Sequence, residues 1–373
     1  MKSLVSYIKN VYFVGVISCF LGCEEYRPNE EYQPSLTPFR ELSCSTDNID
    51  FGYYESSEEI SIAVRGYDTH WSITGVPDWL TITPQSGYSD RDFDVTISAK
   101  ANTSTESART CVLTLKSDEP EYSYSKNIKV TQAKAPTFTG YKTFQAGGVT
   151  FKMMHVEAGT FQMGSTEYSD EQPVHSVTIT KDYYIGETEV TQALWYAVMG
   201  YKPTSSGSAW YSRFGLGDDY PAYYISYEDV QSFLTKLNSM TGEQFRMPTE
   251  AEWEFAARGG KNSKGYTYSG SNTIDYVAWY GDNSNDKSHP VKTKAANELG
   301  IYDMSGNVWE WCSDWYDEYS SSAQTDPTGP TTGSNRVKRG GSWPDSGGAC
   351  RCAFRSNDSP SSQYVNFGVR LAL

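Results

Sequence analysis

The sequence predicts two domains of different class. An all-β sandwich is expected over residues 41–134 and an α+β, loop-rich domain over 145–373, with a linker at 135–144. Three observations carry this. Apolar residues alternate with period two through short runs before residue 134, the pattern of strands with one buried face. Beyond residue 190 three stretches switch to helical spacing behind readable caps. After Gly260 both periods fade into loops rich in tryptophan and glycine. The 373 residues are enough for two ordinary domains and a leader. A formal charge of −15, offset by no basic stripe, excludes non-specific nucleic-acid binding.

At the N-terminus, Lys2 and Lys9 flank the approach to an apolar run from Val11 to Leu21 that is too short to span a bilayer. The run ends in "FLGC", with small Gly22 before Cys23. It resembles a bacterial lipoprotein signal, which implies a signal peptide at 1–22, a lipid on Cys23 and a polar tether at 23–40. An ordinary secretory signal cut nearby is the other reading. Glu24 and Glu25 resemble the acidic tract that sends some Bacteroidetes lipoproteins to the outer face, so a lipid-anchored, surface-exposed place on the outer membrane is expected. Setting Cys19 and Cys23 aside from the seven cysteines leaves Cys44, Cys111, Cys312, Cys350 and Cys352, an odd number. Pairings of Cys44 with Cys111 and of Cys312 with Cys350 stay open at this level.

In the first domain, Ile60, Ile62 and Val64 alternate in "EISIAVRG", and Phe93, Val95 and Ile97 in "FDVTISAK". "CVLTLKS" and "NIKVTQA" repeat the pattern, and "TPQSG" supplies turn chemistry. Seven or so such strands predict a sandwich. "HWSITGVPDWLTITPQSG", the "RTCVLTL" strand and the closing "VTQA" resemble a BACON domain, which implies an immunoglobulin-like sandwich with a suspected carbohydrate-binding role. Trp71 and Trp79 read as core residues, since strand tryptophans usually are. The module then either binds sugar or spaces the next domain from the membrane.

The second domain opens with two strands in "VTFKMMHVEAGTFQMGS", followed by "HSVTITKDYYIGETEVT". Thr191 caps "QALWYAVMG". Ser226, with Asp229 three residues on, caps "YEDVQSFLTKLNSMTG", which Gly242 stops. Thr249 and Glu252 form a capping box ahead of "WEFAARGG". "GTFQMGS", "EVT", "RMPTEAEWEFAARGG", "GIYDMSGNVWEW", "RVKRGGSW" and "FGVRL" resemble, in order, the formylglycine-generating enzyme family, also called sulfatase-modifying factors. The resemblance implies a C-type-lectin-like fold with little regular structure.

The founding enzymes of that family hold copper between two thiolates spaced C-x4-C. Counted back from "RCAFRS", those positions fall on Gly347 and Ser342, so copper is not expected and Cys350 and Cys352 are not read as catalytic. Ala257 stands where the partner of the structural cysteine, here Cys352, would be. A second family disulfide falls on Leu234 and Leu371, an apolar pair. His70, His155, His175 and His289 lack the spacing of an iron site. One inherited metal site persists: the resemblance implies structural calcium on Asp303 and Glu310 side chains with the Gly306 and Val308 carbonyls, hard oxygens of the kind calcium takes.

With the thiols gone, the expected role is binding of a glycan or protein ligand by the C-terminal loops. Candidates are Trp343, Asp345, Phe354, Asn357, Asp358 and Tyr364, in a stretch rich in adaptable polar and aromatic residues. The tail also resembles the hypervariable tail of diversified family members. A structural envelope lipoprotein and an oxidoreductase with displaced chemistry are the alternatives.

Overall fold

Period-two alternation becomes two sheets on one core in the first domain. The computed structural model describes residues 41–373 except 54–55, 66–68, 89–90, 118–123, 137, 139 and 204–209. The expected signal peptide, Cys23 and tether lie outside the described residues. One sheet has four antiparallel strands in the order Glu41–Cys44, Ser56–Arg65, Asp92–Ala99, Leu80–Thr83. The other has five, in the order Asn48–Phe51, Ser125–Gln132, Arg109–Ser117, His70–Thr74, Ser86–Tyr88. That makes nine strands among the described residues, against the seven or so expected. The surplus lies in short pieces such as Ser86–Tyr88 that carry too few residues for a periodic signal.

Ile60, Ile62, Val64, Val95 and Ile97 face the shared core, and Trp71 fills its centre. Gly87 pairs with Trp71 across the sheet, and a Cβ there would stand 2.6 Å from the indole nitrogen, so only glycine fits. Trp79 departs from expectation in part. It is half-buried at the edge of the core, and Arg109 lies over its ring at 4.6 Å.

In the second domain three helices form where the caps predict. They are α1, Gln192–Met199; α2, Tyr227–Thr241; and α3, Glu250–Ala257. Thr191 caps α1, while Ser226 with Asp229 and Thr249 with Glu252 close capping boxes on α2 and α3. Gly200 and Gly242 stop α1 and α2 in the left-handed conformation. Trp195 of α1 stacks on Phe233 of α2 at 4.9 Å. Small sheets surround the helices: Tyr141–Ala146, Val149–Val156 and Tyr183–Gly186 form one, and Gly159–Met163, His175–Ile179 and Gln324–Thr325 another. Leu234 and Leu371, the apolar pair at the positions of the family's second disulfide that the resemblance implied, are buried in the same core cluster.

Candidate ligand face and buried acidic cluster

The C-terminal tail hangs on a four-stranded sheet ordered Arg355–Asp358, Arg336–Arg339, Trp309–Trp315, Phe367–Gly368. Beneath it α3 presents carboxylates to arginines of the tail. Glu250 accepts two hydrogen bonds from Arg355, at 2.8 and 2.6 Å, and one from the Tyr319 hydroxyl at 3.1 Å. One helical turn on, Glu254 pairs with Arg339 and with Arg258, and accepts from the Gly164 N–H at 2.9 Å. Burial alone pushes the Glu254 carboxyl up, but the Arg339 and Arg258 guanidiniums outweigh it and hold it below its ordinary value. Glu171 receives the Arg351 guanidinium in the same manner. Charges this deep are tolerated because each is paired and hydrogen-bonded.

Of the expected ligand residues, five reach the surface. Tyr364 is exposed; Asp345, Phe354, Asn357 and Asp358 are half-buried. Phe354 meets Tyr168 edge-on at 5.7 Å, and Asn357 accepts from Asn335 at 2.7 Å. Asp358 accepts from Ser362 at 2.6 Å and faces Lys338 at 3.3 Å. Asp345 accepts from the Ser342 hydroxyl. Trp343 corrects the expectation. It is 6% exposed, stacks on Phe214 at 5.9 Å and belongs to the main core, so it supports the face from below. A ring of that size beside a double-glycine turn gains more from burial than from display.

Lys338 was missed by sequence reasoning. It lies in the floor of the face, its ammonium 4.0 Å from the Phe367 ring and 5.0 Å from that of Trp309. Burial holds it below the usual lysine value, against the pull of Asp358. A lysine that alternates with valine in "RVKR" gives no signal that it will be buried.

The sulfurs are packing groups. Cys350 and Cys352 are buried, their thiols directed at the Ser346 and Ala257 carbonyls at 3.9 and 3.5 Å. Burial pushes both up to about 12, so neither is a thiolate at neutral pH. All five described cysteines are free, and neither Cys312–Cys350 nor Cys44–Cys111 forms. Of the two positions where the expected count places the family's thiols, Ser342 is fully buried and accepts from Asn366 at 2.8 Å. A Cβ on Gly347 would stand 2.8 Å from the end of Ile274, so a side chain there must displace it.

A second cluster surrounds the expected calcium residues. Glu310 spends both oxygens: Arg370 donates to them at 2.6 and 3.0 Å, and the Trp253 indole donates at 2.6 Å. Asp303 sits in the left-handed region, buried, and accepts from the Lys292 N–H at 2.9 Å. Glu189, from "EVT", is 1% exposed with neither carboxylate oxygen hydrogen-bonded. Burial, then the Asp303 charge, push it far above the usual carboxylate range. Burial likewise pushes Asp303 up to about 6. Three acids thus face one arginine. Among the described residues no three acidic, histidine or cysteine side chains form a metal cage, so a cation here would need backbone carbonyls as well.

Residues 141–373 match the family model for the sulfatase-modifying factor enzyme 1-like domain, and residues 69–133 that for BACON, a putative binding domain. The chaperone protein LppX of Paenibacillus barcinonensis is 34% identical over 60% of this chain and 89% of its own length. The formylglycine-generating enzyme of Streptomyces coelicolor is 36% identical over 41% of this chain and 52% of its own, so the chain spans about half of that relative. Among solved structures, Treponema denticola variable protein 1 is similar with a TM-score of 0.56 and 36% identity, over 62% of this chain and 98% of that one. PvdO from Pseudomonas aeruginosa follows at 0.51 and 28%, over 63% and 99%.

Proposed function

This chain belongs to the sulfatase-modifying factor enzyme 1-like family, and from that premise we propose that it is a non-catalytic binding protein tethered at the bacterial surface. Its C-terminal loops form the ligand face, on a C-type-lectin-like domain carried by an immunoglobulin-like sandwich and anchored to the outer membrane through Cys23. The observation that carries this reading is the state of the sulfurs. Cys350 and Cys352 are buried, with burial pushing both up to about 12, and Ser342 and Gly347, where the count from "RCAFRS" puts the family's thiols, carry no sulfur. Copper(I) chemistry needs accessible thiolates. Above the same region, Tyr364, Asp345, Asn357 and Asp358 present aromatic and polar groups on a sheet clamped by buried ion pairs. Rigid support below adaptable side chains is the arrangement recognition surfaces favour.

Similarity to a chaperone protein and to a variable protein supports binding over chemistry, and a protein or glycan ligand fits the face. Printed glycan and protein arrays probed with the mature chain test it. A ligand whose binding is lost in Tyr364→Ala and Asp358→Asn supports the reading, while retained binding in both sinks it. Structural calcium is part of the same proposal. Glu189 and Asp303 are two buried acids beside the single Arg370, Glu189 with neither oxygen hydrogen-bonded, and a cation held by them with the Gly306 and Val308 carbonyls would favour their ionised forms. Glu310, held by Arg370, would orient the turn and leave coordination to the others.

A further inference from the structure

We infer that the seam between the two domains is a second ligand site, separate from the tail, that takes a short acidic oligosaccharide. A cavity of about 520 Å³ lies there, within the range of small-molecule sites. Its walls are fixed against each other. The Tyr53 hydroxyl of the sandwich accepts from the Ala296 N–H of the second domain at 2.8 Å. Phe138 lies on Gly300, where a Cβ would come within 2.5 Å of the ring.

Three kinds of group meet in this cavity. Tyr53, Phe138, Tyr141 and Tyr302 give it aromatic surface, and Tyr141 is 47% exposed. Thr103 and Thr105 bring hydroxyls from a sandwich loop, both exposed. Lys152, Lys292 and Lys294 line it against one acid, Glu187. Lys292 and Lys152 share that carboxylate, at 2.9 and 3.9 Å. The shared acid leaves positive charge uncompensated, on a chain whose net charge is −15. Lys294 is turned toward the Asp275 carbonyl at 2.6 Å and reinforces the sign of the wall without facing the opening.

The combination selects the ligand. Tyrosine rings suit the C–H faces of sugar rings, threonine hydroxyls and Glu187 suit their hydroxyls, and the paired lysines suit a carboxylate. A neutral sugar leaves the lysine charge unanswered. A long polyanion would also meet the net negative charge of the chain, −15. An acidic peptide would satisfy the lysines yet make no use of the hydroxyls and rings together.

Titration calorimetry of the mature chain with di- to tetrasaccharides of galacturonic acid tests this, alongside their methyl esters and triglutamate. The acid forms should bind and the esters should bind about tenfold more weakly or worse. Lys152→Gln with Lys292→Gln should weaken binding by about tenfold, as should Tyr141→Ala, with melting temperatures reporting that each variant is folded. Tyr364→Ala should leave this binding unchanged, which separates the seam from the tail. The inference is overturned if no acidic saccharide binds, if esters or triglutamate bind equally well, or if the folded seam variants bind like wild type.

Discussion

Replacing Arg355 with methionine should unseat the strand that displays the tail. Arg355 is 4% exposed and closes a two-pronged pair with Glu250 at 2.8 and 2.6 Å, while its second terminal nitrogen holds the Asp317 carbonyl at 2.8 Å. Methionine keeps much of the volume and removes every one of these bonds. Glu250, itself 4% exposed, is left with the Tyr319 hydroxyl and Arg339 at 3.6 Å, too long for a good hydrogen bond. Stripping one partner from a buried pair costs about 3–5 kcal/mol, because the other charge stays buried. In a domain of this size each kcal/mol lowers the melting temperature by about 2–4 °C, so a fall of roughly 6–20 °C is expected. Calorimetric melts of the single variant, of Glu250→Gln and of the double variant measure it. The double variant should lose less than the sum of the singles, since the orphaned charge is gone with its partner. A single-variant fall below about 3 °C would mean that Glu250 finds compensation elsewhere, and the clamp argument would fail.

Chelation should lower the melting temperature of the wild type, and Glu189→Gln should abolish that dependence; a bound cation at a hundredfold excess over its dissociation constant stabilises by about 2.7 kcal/mol. An unchanged melt on chelation removes calcium from the account. Cys350→Ser with Cys352→Ser should cost about 1–3 kcal/mol by burying hydroxyls where thiols pack, leave array binding intact, and yield no aldehyde in either form from a cysteine-bearing sulfatase peptide with copper(I) and oxygen. Turnover that vanishes in the double serine variant would restore an active site. Burial, with the Glu250 charge second, pushes the Asp314 carboxyl up to about 7, so folding takes up a proton above the usual aspartate range of about 4. Stability should therefore decline as pH rises from about 4 through about 7, and Asp314→Asn should flatten that slope in urea titrations; a parallel slope in the variant refutes the assignment.

Helix caps and strand periods were legible because they are local. Thr191, Ser226 and Thr249 cap helices through bonds that span three residues, and period two needs only one buried face. The buried charges were not legible, since their partners stand 85 to 105 residues apart, as with Glu254–Arg339 and Glu250–Arg355. Glu189 looked like any acid near a strand end. Its isolation depends on Asp303, Glu310 and Arg370 arriving from elsewhere in the chain. Trp343 was misplaced for a related reason: its stacking partner Phe214 lies in a single 3-10 turn, Ser212–Phe214, too short to carry a periodic signal.

The two ends of the tail are fixed by sterics and buried charge, and the segment between them is held more lightly. Gly340 and Gly341 both lie in the left-handed region, and a Cβ on Gly341 would come within 2.8 Å of the Ala349 carbonyl. At the other end Arg370 is fully buried against Glu310, with its remaining donors on the Gly186 and Tyr302 carbonyls at 2.8 Å. Between these ends the side-chain bonds of Asp358 run to Lys338, Ser359 and Ser362, and the Tyr364 ring meets Phe367 edge-on at 4.8 Å while its carbonyl accepts from the Tyr224 N–H at 3.0 Å. Substitutions there change what is displayed and leave the burial of Arg339, Arg355 and Arg370 as it was. On the proposed reading, stability and ligand choice would then reside in different residues of the same stretch, from Arg339 to Arg370.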